Sequence, residues 1–207
     1  MSVKTLLVDV GGVLLNENPD FWDLLRRDFH APANVEALFF GPGSPWPECR
    51  TGALDYSEYM RRVAEQLGMD PGLLAELADR HEWMLNQPMA EWTRGVRRRG
   101  LEVILVSNAD LTLEARLRSF GLDDVFDAVV NSARVGAAKP DPDIYRRALE
   151  LTASSPSECL FVDDREKNCA AARELGMEAL VFVDTEQFVQ EVRRRHAGEV
   201  WVGPGAR

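Results

Sequence analysis

The chain has 207 residues, which suits one core domain with room for an insertion of moderate size. Hydrophobic residues make up 45% of the sequence, so it can bury a substantial core, and wholesale disorder is excluded. The formal net charge of −10 argues against nucleic acids and anionic membranes as partners, because both bind to a basic face. A small anionic substrate stays possible if a local cation offsets the field of the protein.

The cysteines and the start of the chain indicate a cytoplasmic protein. Cys49, Cys159 and Cys169 lack a paired spacing, which favours reduced thiols over a disulfide framework or a zinc site. We see no secretion signal around Val3–Val10, and no apolar stretch approaches the ~20 residues of a membrane span. The sequence does not choose between a monomer and a homodimer.

Short apolar runs predict a buried parallel sheet. In chain order they are Thr5–Val10, Val103–Ser107, a weaker run at Ala128–Asn131, Cys159–Asp163 and Ala179–Val183. Helical periodicity lies between and after them, at Met89–Arg99, Leu111–Phe120, Asp143–Leu151, Glu166–Leu175 and Glu186–Arg195. This alternation predicts an α/β fold with right-handed crossovers.

One long segment interrupts the alternation. Between the first strand and Met89 we find no convincing strand, only helical patterns at Asp20–Phe29, Asn34–Phe40, Asp55–Leu67 and Pro71–Leu85. The prolines and glycines of residues 41–47 separate them. We therefore predict a helical cap, residues 16–87, inserted into an α/β core made of residues 1–15 and 88–207. The glycine-containing tail, residues 198–207, is expected to fray.

Polar side chains stand where the predicted strands end. Asp9, Ser107 and the pair Asp163-Asp164 occupy the carboxyl ends of three strands, and Lys139 lies on a loop after a fourth. Ligands of open α/β sheets bind at this edge. Clustered carboxylates need a cation, and oxygen ligands suit Mg²⁺. A carboxylate near a phosphoryl group held by the metal, a lysine and a hydroxyl can attack phosphorus.

Four segments carry a family resemblance. They are a strand followed by an aspartate in Leu6–Leu14 (LLVDVGGVL), a strand ending in serine in Ile104–Asn108 (ILVSN), a lysine before proline in Gly136–Tyr145 (GAAKPDPDIY), and an acidic pair in Phe161–Asn168 (FVDDREKN). In this order they resemble the motifs of the haloacid dehalogenase superfamily, subfamily IA, whose helical C1 cap follows the first strand. The resemblance implies a Rossmann-like three-layer core with a parallel sheet.

The resemblance also implies roles for residues. Asp9 would be the nucleophile, with Lys139 as a second catalytic residue. Phosphate contacts would come from Ser107, Asn108 and Lys139. Mg²⁺ would be held by Asp9, the carbonyl of Val10, Asp164 and Asp163, while Asn168 would position metal-bound water and neighbouring groups. In the predicted cap, Arg50 lies in a stretch, Trp46–Gly52, that resembles one facing the substrate in the family. A surface ion pair is an equally good explanation of Arg50.

The chain departs from the family pattern at Gly11. The resemblance puts a second aspartate there, which serves as general acid and base, and such proton transfer contributes about 10²–10⁴-fold. Its loss matters least for a leaving group that departs unaided, and the Asp-x-Gly variant resembles a branch of sugar-phosphate phosphatases. Asn16 and Glu17 are candidates to replace it.

The sequence thus predicts a Mg²⁺-dependent phosphatase of a small phosphorylated metabolite, a sugar phosphate being one candidate. Two alternatives stay open: a metal-independent haloacid dehalogenase, and a non-catalytic or regulatory protein that has lost its general acid. The acidic pair disfavours the dehalogenase, whose chemistry needs no second metal-binding carboxylate. The polar residues also have purely structural interpretations. Ser107-Asn108 could cap a helix, and Asp163-Asp164 could favour the positive end of the next helix.

Overall fold

A central parallel sheet organises the computed structural model, which describes residues 2–196. The strands are β1 (Thr5–Val8), β2 (Leu15–Glu17), β3 (Trp83–Leu85), β4 (Glu102–Ser107), β5 (Ala128–Asn131), β6 (Cys159–Asp163) and β7 (Glu178–Val181). Five of them form one sheet in the order β5-β4-β1-β6-β7, and all its pairs are parallel. The predicted α/β class is confirmed. The tail, residues 198–207, lies outside the described residues.

Helices fill the connections. They are α1 (Pro19–Asp28), α2 (Glu36–Phe40), α3 (Trp46–Cys49), α4 (Tyr56–Leu67), α5 (Pro71–His81), α6 (Gln87–Arg98), α7 (Leu113–Ser119), α8 (Ser132–Val135), α9 (Pro142–Leu149), α10 (Glu166–Glu174) and α11 (Thr185–Arg195). Their ends follow local chemistry. Asp55 accepts a hydrogen bond from the amide of Glu58 and so caps the start of α4, and Gly68, in the left-handed region, follows its last residue, Leu67.

Alternate residues of the central strands bury on opposite faces of the sheet. Leu6 and Val8 belong to one hydrophobic cluster, which takes in Met89 and Val96 of α6. Leu7 belongs to the cluster on the other face, with side chains of α9 and α10. Two buried faces explain why the strands read as continuous apolar runs, without alternation. The result is a helix–sheet–helix arrangement of three layers.

Helices α1–α5 surround a third hydrophobic cluster, which includes Phe21, Phe39 and Tyr59. Two short strands join this unit to the sheet, since β2 and β3 pair antiparallel with Glu17 opposite Trp83. The expectation of no strand in this segment is therefore wrong, and α5 ends at His81 where a helical pattern to Leu85 was expected. Three-residue strands are too short to show alternation, and they form only because distant segments meet.

Two further features concern the cysteines and the helices. Cys49, Cys159 and Cys169 are buried and unpaired with one another. Burial raises the pKa of Cys159 to about 11 and of the other two to about 12, which favours the thiol form. Among residues 2–196, no helix has both the length and the apolar character to cross a membrane.

Candidate active site

The carboxyl edge of the sheet opens into a cavity of about 340 Å³ that contains the polar side chains expected there. Asp9 follows β1, Ser107 ends β4, and Lys139 lies between α8 and α9. Each of these three residues lines the cavity and is at least 93% buried. Asp164 and Asn168, from the region after β6, line it as well. One crevice thus brings together carboxylates, a hydroxyl and an ammonium group.

Lys139 is the electrostatic centre of this site. Its Nζ lies 2.6 Å from Oδ1 of Asp9 and 2.7 Å from Oδ2 of Asp163, and it also donates to the carbonyl of Val106 at 2.8 Å. Burial alone would lower the pKa of Lys139, but the two carboxylates outweigh it and raise that pKa. The lysine is therefore a permanent cation shared by two acids.

The carboxylates outnumber this single cation. Oxygens of Asp9, Asp163 and Asp164 lie within 4.8 Å of one another. Burial first, and then Asp163, raise the pKa of Asp164, while burial raises the pKa of Asp9 to about 8 against the opposing effect of Lys139. Burial removes water from these acids, and Asp163 repels Asp164, so their ionised forms are unfavourable without a further cation. An oxygen-only cluster with excess negative charge fits a hard divalent cation such as Mg²⁺.

Asn168 adds to this fit. Its Nδ2 donates to Oδ1 of Asp163 at 2.8 Å, which fixes the orientation of both side chains. Its Oδ1 is buried and has no hydrogen-bond partner, although the side chain lines the cavity. A buried acceptor without a partner is unfavourable, so this atom is suited to receive a bond from a metal-bound water or a substrate group.

The backbone at Val10 differs from the expectation for a metal ligand. The Val10 carbonyl accepts hydrogen bonds from the amides of Val13, Leu14 and Leu15 at 3.3, 2.9 and 2.8 Å, which occupy the lone pairs of its oxygen. It therefore has no lone pair for Mg²⁺. Gly11 forms a parallel bridge with Leu15 that uses the Val10 carbonyl and the Gly12 amide, so the Gly11 carbonyl is not engaged by that bridge. Gly11 lines the cavity that contains Asp9.

Gly12 is a site residue that sequence reasoning missed. Its φ of +77° lies in the left-handed region, and a Cβ atom there would stand 2.8 Å from Cγ of Asp164. Both facts require glycine. The signal in the sequence was the pair of glycines directly after Asp9, of which only the first was considered.

Asn108 and Ser107 are neighbours in the chain but differ in their structural surroundings. The Asn108 side chain accepts from the amide of Lys139 at 2.7 Å and donates to its carbonyl at 2.9 Å, so it holds the lysine loop in place. Ser107 lies at the end of β4, with the next helix starting only at Leu113. Neither residue caps a helix, so the interpretation of Ser107-Asn108 as a helix cap is wrong.

The opposite wall of the cavity comes from the helical unit and its short sheet. Phe40, Trp46 and Arg50 line it, together with Leu15 and Trp83. Arg50 forms no ion pair with any carboxylate of residues 2–196, which leaves the surface ion pair without support. Its half-buried side chain faces the cavity that holds Asp9.

Arg116 is a second arginine of the wall that the sequence did not single out. Its Nη2 lies 3.3 Å from Oδ2 of Asp110, and its guanidinium lies 5.8 Å from the centre of the Trp83 ring. The Asp110 partner makes Arg116 part of the wall's own structure. Nothing in the local sequence of α7 distinguishes it from an exposed helical arginine.

The two candidates to replace the general acid separate in space. Glu17 and Leu15 point to the cavity, whereas Asn16, on the other face of β2, lines a different groove. This follows from the alternation of side chains along a strand. Burial raises the pKa of Glu17 above its ordinary value. Of the two, only Glu17 lies at the cavity that contains Asp9.

Comparisons with known proteins agree with this geometry. The family model described as haloacid dehalogenase-like hydrolase matches residues 3–176. The sesquiterpene phosphatase astK of Aspergillus oryzae is 27% identical over 198 residues, with 93% of this chain and 96% of that protein covered. The bifunctional epoxide hydrolase 2 of Sus scrofa is 30% identical over 94% of this chain, but the chain spans only 39% of that enzyme's length.

A solved structure shares the fold. It is a HAD family enzyme from Bacteroides thetaiotaomicron in complex with magnesium and inorganic phosphate, with a TM-score of 0.73 and 23% sequence identity. The match covers 88% of this chain and 96% of the other. At this identity the likeness establishes the architecture described above.

Proposed function

The chain belongs to the haloacid dehalogenase-like hydrolase family, and we propose that it is a Mg²⁺-dependent phosphatase that acts through a phosphorylated Asp9. The observation that carries this proposal is the contact of Asp9 with the shared cation Lys139, beside two further carboxylates, in one cavity. The phosphatase relative from Aspergillus oryzae, similar over nearly its whole length, supports the same reaction class.

Asp9 is proposed as the nucleophile. Its carboxylate oxygen attacks phosphorus, the bond from phosphorus to the leaving oxygen breaks, and water then hydrolyses the aspartyl-phosphate. The amide of Val10 donates to Oδ1 of Asp9 at 2.6 Å, and Lys139 contacts the same oxygen. These contacts hold Oδ1 and fix the orientation of the carboxylate.

Lys139 and Ser107 are proposed to bind the transferring phosphoryl group, with Asn108 holding the loop of Lys139. Asp9, Asp164, Asp163 and the backbone of Gly11 would hold Mg²⁺, and Asn168 would orient the groups around it. The bound ion would neutralise negative charge on the phosphoryl oxygens. Arg50 is proposed to contact the substrate from the opposite wall.

Residues 16–87 are proposed to form the cap of a core made of residues 1–15 and 88–207. Helices α1–α5 have their own hydrophobic cluster, and the cavity lies between them and the edge of the sheet. This position lets cap side chains select the substrate while core side chains perform the chemistry. With glycine at position 11, a leaving group that departs unaided, such as a sugar 1-phosphate, is favoured.

Asp164 disfavours the dehalogenase alternative. Attack on carbon with loss of a halide requires no cation among the acids, and a third carboxylate would only repel the substrate's own. Here the oxygens of Asp164 join those of Asp9 and Asp163.

Release of p-nitrophenol from p-nitrophenyl phosphate tests the proposal, with and without Mg²⁺, for the wild type and Asp9→Asn. We expect turnover only when Mg²⁺ and Asp9 are both present. Phosphate transfer from a radiolabelled ester to the wild-type chain, absent in Asp9→Asn, would identify the intermediate. Turnover that survives Asp9→Asn or chelation of the metal would refute the mechanism.

A further inference from the structure

Two arginines line the active-site cavity from opposite sides. Arg50 follows α3 in the helical unit, whereas Arg165 directly follows Asp164 at the edge of the sheet. Both side chains line the same cavity, which also contains Asp9. The catalytic roles above leave Arg165 unused.

Arg50 is held firmly at the contact between the helical unit and the sheet. Its carbonyl accepts a hydrogen bond from the Ser132 hydroxyl at 2.5 Å, and Gly52 packs directly against the carbonyl of Ala133. Trp46 lies one helical turn earlier and lines the same cavity. The backbone of Arg50 is therefore anchored at this contact.

The Arg50 guanidinium has no anionic partner of its own in the described part of the chain. Its Nε is buried without a hydrogen-bond partner, and burial, followed by Arg165, lowers its pKa. A buried donor without an acceptor and a repelled charge are both unfavourable. The side chain of Arg165 is 58% exposed, and its Nε lies 3.9 Å from Oδ1 of Asp164. An anion bound to Arg50 would relieve both conditions, and Arg165 lines the same cavity.

The transferred phosphoryl group does not explain this pair, because Lys139 already lies against Asp9 at the reaction centre. Guanidinium groups bind carboxylates and phosphates in a bidentate manner. The wall beside Arg50 is aromatic, formed by Phe40, Trp46 and Trp83. Such rings contact the flat or apolar body of a ligand.

We propose that Arg50 and Arg165 form a second anion-binding subsite, so that the preferred substrate is a phosphate monoester whose leaving group carries its own anionic group. This inference rests on the proposed phosphatase function and narrows its substrate class. A neutral sugar phosphate would leave the subsite empty. A leaving group with a carboxylate or a second phosphate would fill it.

The test compares 4-carboxyphenyl phosphate with 4-carbamoylphenyl phosphate, which have similar shape but differ in charge. We expect wild-type kcat/KM to be about tenfold or more higher for the carboxylate, as befits charge-assisted hydrogen bonds. Arg50→Gln and Arg165→Gln should each move the ratio of the two kcat/KM values toward one. Arg61→Gln, at an exposed arginine of α4 paired with Glu58, is the matched control and should keep the wild-type ratio. The bisphosphate ester of hydroquinone shows whether phosphate fills the subsite better than carboxylate.

Binding separates this inference from the phosphatase proposal. Dissociation constants of the same two esters for Asp9→Asn, measured by calorimetry, should show the same preference even if no ester is hydrolysed. A wild-type ratio near one in both assays would overturn the subsite. So would equal losses for both esters in Arg50→Gln, because that result would assign Arg50 to the transferred phosphoryl group.

Discussion

Lys139 contacts Asp9 through its Nζ atom, 2.6 Å from Oδ1, and both side chains are buried. The same Nζ contacts Asp163, whose side chain is fully buried. Two buried acids therefore depend on one buried cation. Neither could stay ionised at low free-energy cost if that cation were removed.

Lys139→Met should destabilise the fold strongly. Removing one partner of a buried ion pair typically lowers the free energy of unfolding by about 3–5 kcal/mol. Urea denaturation with and without Mg²⁺ measures the effect. We expect Mg²⁺ to recover more stability in Lys139→Met than in the wild type, since the ion supplies positive charge to the same carboxylates. A loss below about 1 kcal/mol, within the range of exposed ion pairs, would contradict the central role of Lys139.

Gly12→Ala should impair the metal site more than the fold. A Cβ atom at position 12 would stand 2.8 Å from Cγ of Asp164, and the φ of +77° disfavours any side chain. Asp164 must therefore move. We expect Mg²⁺ affinity, measured by calorimetry, to fall at least about tenfold, as for groups that orient metal ligands. Gly43→Ala is the control, because its φ is also positive but no atom lies within 4 Å of its Cβ position. Equal Mg²⁺ affinity in both variants would show that the close approach is unimportant.

The sequence predicted the sheet and its polar edge well, because those features are local. Thr5–Val8 and Cys159–Asp163 are apolar runs that end at Asp9 and Asp164. The short strands β2 and β3 were not predicted, because their pairing joins residues far apart in the chain. The hydrogen-bonded state of the Val10 carbonyl and the approach of Gly12 to Asp164 depend on three-dimensional packing, which no spacing of residues encodes.

Gly11→Asp should increase turnover of esters with poor leaving groups. A Cβ atom at Gly11 would lie 3.8 Å from the Trp83 ring, an ordinary contact, so a side chain fits there. A positioned acid contributes about 10²–10⁴-fold, and most of it where the leaving group needs a proton. We therefore expect kcat to rise more for an alkyl phosphate than for p-nitrophenyl phosphate. Gly11→Asn is the control without an acidic proton. Equal gains in both variants would assign the effect to packing against Trp83.

Gly52→Ala should loosen the helical unit from the sheet. An added Cβ would collide with the carbonyl oxygen of Ala133, and the φ of Gly52 is +76°. Arg50, two residues earlier, would then shift, so we expect KM to rise. Gly68→Ala has a similar φ of +65° with open space around the Cβ position, and it measures the backbone effect alone. If KM is equal in the two variants, contact with Ala133 does not position the arginine.

Glu82 should make stability fall as pH rises. Burial raises its pKa from an ordinary 4.5 to about 7, with Arg116 opposing and Asp110 adding to the shift. Because the folded protein binds this proton more tightly than the unfolded chain, the stabilisation is complete below pH 4.5 and is lost as pH rises through about 7. The loss amounts to about 3 kcal/mol at most.

Glu82→Gln stays neutral, so it should be more stable than the wild type at pH 8 by up to this amount, with little difference at pH 5. Urea denaturation at the two pH values checks this, with Glu76→Gln as a control at a carboxylate that is 56% exposed. A Glu82→Gln variant that is less stable than the wild type at pH 8 would mean that the ionised carboxylate is favourably paired with Arg116 and that its pKa is not raised.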